Sequence, residues 1–195
     1  MNTIRSLVFA GLAACCAAVP VSAFAVPVTF NFFLSGPAEN PPVPSLATGT
    51  GVVIFDLAAH TMAINFSFAG LVGTSTVAHI HCCVDAPGNA GVATATPSFP
   101  GFPVGVSGGS YSNLFDTSIA SSFNAAFVTS SGSVALAESR LFAGLSAGRA
   151  YLNIHSTRYP AGEIRGFAVP EPATLSLLLA GLVGVFGATR RLKAA

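Results

Sequence analysis

The stretch TMAINFSFAGL, residues 61–71, alternates two kinds of side chain. Met62, Ile64, Phe66 and Phe68 fall on one side, and Ala63, Asn65, Ser67 and Ala69 on the other. Successive side chains of a strand point to opposite faces, so this order marks a strand with one buried face. Working outward, GTGVVIFDL (49–57) precedes it across Ala58-Ala59-His60, and VTFNFFLSG (28–36) ends at a Gly-Pro turn. TVAHIH (76–81), AYLNIH (150–155) and GEIRGFAV (162–169) carry the same strand chemistry. PSFPGFPVGVSGGSYSN (97–113) is rich in Gly and Pro and reads as a long loop. SVALAESRLFAGL (133–145) is the one helix candidate, with Val134, Ala137, Leu141 and Leu145 on one face. Gly144 weakens its last turn and Gly148 ends it. Many short strands with Gly/Pro turns predict an all-β antiparallel β-sandwich with one short helix.

The chain has 195 residues, a net charge of +1, 52% apolar and only 8% charged residues. Low charge at that apolar content argues against disorder and against a nucleic-acid partner, which needs a basic surface. Much of the apolar excess sits at the ends. Residues 1–25, MNTIRSLVFAGLAACCAAVPVSAFA, offer a basic start at Arg5, an uncharged run, and the small-x-small step Ala23-Phe24-Ala25. This reads as a secretory signal peptide, and Cys15 and Cys16 leave with it. At the other end, Ala173 to Thr189 carries no charge and is followed by Arg190, Arg191 and Lys193. At 1.5 Å per residue the run reaches roughly 25 Å, a short C-terminal transmembrane helix with its basic end on the cytoplasmic side. Between them, residues 26–168 form one domain with four arginines, six acids and no lysine.

The segment AHIHCC (78–83) concentrates the chemistry. His79 and His81 are two apart on a strand, so they share a face about 7 Å apart. Cys83 joins that face if the strand continues. His155 ends another strand and shares a side with Asn153. If those strands are neighbours, the three imidazoles converge, and imidazoles with a thiolate suit copper or zinc. Cys82 and Cys83 have no other cysteine in 26–168 to pair with. Three readings stand: a disulfide between neighbours, which the oxidising compartment favours, metal ligation by Cys83, or bridging between molecules. Glu163 and Arg165 read as a structural clamp, paired with each other or with Arg165 on Asp85 or Glu39. Gly105-Val106-Ser107-Gly108-Gly109 matches G-x-S-x-G, but Pro97, Pro100 and Pro103 precede it where a nucleophile elbow needs a strand. No catalytic residue is assigned and no enzyme is expected.

Two resemblances add to this reading. Val169-Pro170-Glu171-Pro172, the apolar span and the Arg190-Arg191 cluster together resemble the PEP-CTERM sorting signal of Gram-negative bacteria. That resemblance covers 169–195. It implies export across the inner membrane, transient anchoring there by the C-terminal helix, and processing by an exosortase-type enzyme. It further implies a place at the cell surface or in an extracellular matrix, with extracellular polysaccharide or matrix proteins as partners. Separately, Glu39-Asn40-Pro41-Pro42, the Ala78-His79-Ile80-His81 step and Asn153-Ile154-His155 followed by Gly162-Glu163-Ile164-Arg165-Gly166 resemble the CHRD domain, named for chordin. That family implies an extracellular immunoglobulin-like sandwich and no enzyme. The expected role is structural or adhesive, sorted to the surface, and the alternative is a copper- or zinc-binding module. A His-x-His step on a sandwich strand is also similar to that of Cu/Zn superoxide dismutase. Beyond the three imidazoles named only His60 remains, so a bridged two-metal site is not expected, nor dismutase activity.

Overall fold

Alternation decides where each strand puts its bulk. The structure is a computed structural model that describes residues 26–171. The expected signal peptide, the transmembrane span, Pro172, Arg190 and Arg191 lie outside the described residues. Among the described residues, no helix is long and apolar enough to cross a membrane. The strands are β1 (Val28–Ser35), β2 (Thr48–Asp56), β3 (Thr61–Ala69), β4 (Ser75–Cys82), β5 (Gly109–Asp116), β6 (Ala150–Ser156), β7 (Ile164–Phe167) and β8 (Val169–Pro170). Two helices, α1 (Ala125–Ser131) and α2 (Val134–Ser146), sit between β5 and β6.

The strands form one antiparallel sheet in the order β4-β6-β7-β1-β2-β3-β5, with β8 added on β1. The two separate sheets of an immunoglobulin-like sandwich are therefore replaced by one sheet that curls on itself. Its two halves meet through their inner faces. A Cβ placed on Gly49 or Gly51 of β2 comes within 3.5 Å of Ile164 and 3.2 Å of Leu152, on β7 and β6. Glycine at both positions lets the opposite walls close to van der Waals contact. Phe30, Phe32, Val53, Phe55, Met62, Ile64, Ile80, Leu152, Ile154 and Ile164 are fully buried between them. Each such side chain contributes roughly 1.5–3 kcal/mol of transfer free energy.

The segment 91–107 closes the gap between the outer strands. Its backbone bonds to β4 at Cys82, Ile80 and Ala78, and the Ser107 carbonyl accepts from Leu71. Phe99 stacks on Tyr111 of β5 at 5.5 Å and contacts Phe115. Sequence composition made 97–113 a loop, yet β5 starts at Gly109. The reason is a period-two order within it: Tyr111 and Phe115 turn inward while Ser110 and Ser112 stay exposed. The outer face of this half-sheet is built from rungs such as Phe33–Thr50–Ser67–Ser110.

A second departure is α1, where the sequence predicted only α2. Seven residues, three of them Ser or Thr, give little periodic signal, but the Asn124 side chain accepts from the Ala126 N–H, and Gly132 closes the turn at φ +96°. α2 begins at its N-cap Ser133, whose hydroxyl accepts from Leu136 N–H. It lays Ala137, Leu141 and Leu145 on the core. Phe142 meets Phe30 and Phe55 edge-on at 6.1 and 5.5 Å.

Gly144 is the tight point of that packing. A Cβ there lands 2.7 Å from Cys83 Sγ and closer still to Cys82 Sγ. Glycine inside an exposed helix is usually improved by alanine by about 1 kcal/mol. Here the sign reverses. Gly144→Ala is expected to destabilise by about 1–3 kcal/mol through overpacking, read as a lower urea midpoint with unchanged m-value. An increase in midpoint contradicts this packing.

Candidate metal centre

β4 and β6 are neighbours, paired antiparallel with His79 opposite Asn153 and His81 opposite Tyr151. Ala78, Ile80, Leu152 and Ile154 take the inward positions, so His79, His81, Tyr151, Asn153 and His155 share the outward face. That face is not bare. The segment after β4 and the turn after β6 fold over it, leaving His79, His81 and His155 buried at 5%, 9% and 9% exposure. One ring nitrogen from each histidine lies within 4.8 Å of the others.

Each ring is aimed by its other nitrogen. His79 Nε2 donates to the Pro97 carbonyl at 2.6 Å, His81 Nδ1 to Ala90 at 2.9 Å, and His155 Nδ1 to Pro160 at 2.9 Å. Those bonds fix the tautomers. They leave His79 Nδ1, His81 Nε2 and His155 Nε2 as buried lone pairs with no hydrogen-bond partner. An unpaired buried acceptor costs about 1–3 kcal/mol, and three in one place is a costly arrangement for packing alone. Tyr151 stacks flat on His81, 4.8 Å between centroids at 3°. The Tyr151 hydroxyl accepts from the Ala90 N–H, tying ring and carbonyl into one unit. Sequence reasoning missed Tyr151, although its period-two relation to Asn153 and His155 was there to use.

Burial lowers the pKa of all three imidazoles, that of His81 to about 4, because desolvation penalises the charged ring. The rings are neutral at pH 7, the form that ligates metal. Four nearby groups brace this face. Arg165, 1% exposed, donates to the carbonyls of Ala38, Pro87 and Gly88 and to Asn89 Oδ1. Its guanidinium also covers the Tyr151 ring at 4.7 Å. Asn153 donates to Glu39 at 2.5 Å, and desolvation raises the Glu39 pKa to about 7 against the pull of Arg165 and Asn153. Glu163 accepts from Ser156, from Val72 N–H at 2.6 Å and from Ser45 at 2.7 Å. Burial pushes its carboxyl up, but those hydrogen bonds outweigh it and hold the pKa below the usual value.

The structure chooses among the pairings that the sequence left open. Glu163 and Arg165 do not pair with each other. Arg165 reaches Glu39 at 3.7 Å, while Asp85 pairs with Arg149 at 2.9 Å. Cys83 does not join the histidines. β4 ends at Cys82, and Cys83 turns toward α2, its sulfur near the Arg140 carbonyl and bonded to Cys82 as a neighbour disulfide. His60 is spent on Glu138 at 2.9 Å. The Glu39-Asn40-Pro41-Pro42 and Arg158-Tyr159-Pro160-Ala161-Gly162 segments line one side of the bracing network, around a hollow of about 370 Å³. Pro170 and Glu171 lie beside β1, where β8 pairs with Phe30 and Asn31.

A neutral buried His81 takes a proton near pH 4, whereas the unfolded chain takes it near 6.5. Its contribution to stability is therefore present above pH 6.5 and lost as pH falls toward 4. In chelator, the fall in stability between pH 7.5 and 5 is expected to be about 1–2 kcal/mol smaller in His81→Phe than in the native chain. Parallel pH curves for the two contradict it.

Comparison with known families gives two matches. The family model described as CHRD domain matches residues 30–168. The model described as PEP-CTERM protein-sorting motif matches residues 168–193. No curated protein and no solved structure matches the chain.

Proposed function

The chain belongs to the CHRD domain family and carries a PEP-CTERM signal, and from that premise we propose that it is an exported metal-binding protein of the cell surface. The sorting motif implies recognition by an exosortase-type system and a surface or extracellular location. The metal reading rests on one observation: three buried, partnerless imidazole nitrogens within 4.8 Å of one another. A tetrahedral metal with bonds of about 2.0–2.1 Å would hold its nitrogens about 3.3–3.4 Å apart, so loading would have to draw a pair that now spans 4.8 Å together by more than about 1 Å. His79, His81 and His155 are the ligands. The carbonyls of Pro97, Ala90 and Pro160 are the outer partners that orient them. Three neutral nitrogens without sulfur or carboxylate suit copper or zinc.

A second reading is a structural or adhesive role in an extracellular matrix. What favours it is the sorting motif together with the amount of buried polar bracing that stiffens this end of the molecule. The two readings are compatible, since a metal that binds only the folded state also stabilises it.

Metal content tests the metal reading. The exported chain, prepared without a histidine tag, is expected to hold close to one copper or zinc per molecule. The His79→Ala/His81→Ala double variant is expected to hold less than a tenth of that, and His60→Ala the native amount. Metal at a hundred times its dissociation constant adds about 2.7 kcal/mol to the stability of the native chain and nothing to the double variant. Equal metal content in native and double-variant chains overturns the metal reading.

A further inference from the structure

The half-sheet β1-β2-β3-β5 presents an outward face remote in the strand order from the histidines. Its central rungs are Phe33–Thr50–Ser67–Ser110 and Asn31–Val52–Asn65–Ser112, and none of these residues is charged. The aspartates of these strands, Asp56 and Asp116, stand at the strand ends, and the carboxylate that reaches the rungs from outside, Glu171, accepts from the Asn31 side chain at 3.4 Å, a charge that disfavours an acidic polymer. The described arginines lie on α2, in the turns flanking β6 and on β7. At the centre is a shallow hollow of about 390 Å³ lined by Asn31, Phe33, Thr50, Asn65, Ser67 and Ser110, with their neighbours. Phe33 stands 67% exposed at its margin.

We infer that this face binds a neutral polysaccharide. Strands about 4.8 Å apart set hydroxyl and amide groups at short, regular intervals across it. Such groups both donate and accept, which is what a ligand built of hydroxyls requires. An exposed aromatic ring such as Phe33 offers a flat apolar surface to the C–H face of a sugar ring. The absence of charge on the central rungs selects the class. An acidic polymer or a nucleic acid meets no cation there, and a neutral chain covers the face without stranding a charge away from water. The exposed apolar side chains of this face are not gathered into the centre that a protein partner wants: Phe33 is separated from Ile54 and Leu114 by the Asn31–Val52–Asn65–Ser112 rung. This inference does not rest on the metal reading, and it gives the matrix reading a surface.

The test is affinity electrophoresis of the exported full chain in gels cast with hydroxyethyl cellulose, dextran or galactomannan, with alginate as the acidic comparison. At least one neutral polymer is expected to retard the native chain, and alginate not at all. Phe33→Ala and Ser67→Lys, both at exposed positions, are each expected to weaken that retardation at least fivefold. The His79→Ala/His81→Ala variant is expected to keep it, which separates this claim from metal binding. The inference is overturned by no retardation by any neutral polymer, by retardation unchanged in both face variants, or by stronger retardation by alginate. Concentration-dependent dimerisation that Phe33→Ala abolishes also overturns it, in favour of a second copy on the same face.

Discussion

The antiparallel pairing of β4 with β6 is the constraint on which everything chemical depends. It sets His81 opposite Tyr151 and His79 opposite Asn153, and it puts His155 one outward position further along β6. Because side chains alternate, the same register that buries Ile80 and Leu152 sends all three imidazoles to the other side. A slip of one residue would bury the histidines in the hydrocarbon core and expose isoleucine. The hydrophobic pattern thus holds the site in register without any contribution from a ligand.

Burial of that outer face is a separate achievement, made by irregular chain. Three backbone carbonyls from segments 83–97 and 157–163 fix the three rings, and buried polar groups fix the segments in turn. Arg165 gathers the carbonyls of Ala38, Pro87 and Gly88; Asn89 bonds onward to the Asn40 carbonyl. Glu163 gathers the chain at Ser45, Val72 and Ser156. The family's marker residues are therefore largely the fasteners of the loops that cover the histidines. Leaving either charge without its partners is the expensive event, since a buried unpaired charge costs several kcal/mol.

Most strands were legible from period-two order alone, as was the helix from Val134 onward. So was the common face of His79 and His81, because two-residue spacing on a strand permits nothing else. The arrival of His155 was legible only as a condition, since pairing of strands some 70 residues apart is a property of the packed core and not of either strand. The single curled sheet was hidden for the same reason: the small side of Gly49 and Gly51 matters only when Leu152 and Ile164 are opposite. β5 was masked by its Ser and Gly content, and α1 by its shortness. Cys83 illustrates a local limit. Alternation placed it with the histidines, but the strand ended one residue earlier and the chain turned toward Gly144.

The claim that three imidazoles and no sulfur hold one metal is tested most directly by X-ray absorption of the metal-loaded chain. Nitrogen at about 2.0–2.1 Å with the outer scattering of three imidazole rings is expected, and no sulfur at about 2.3 Å. A sulfur shell, or fewer than three imidazoles, would contradict it and move the site to the cysteines or to the surface.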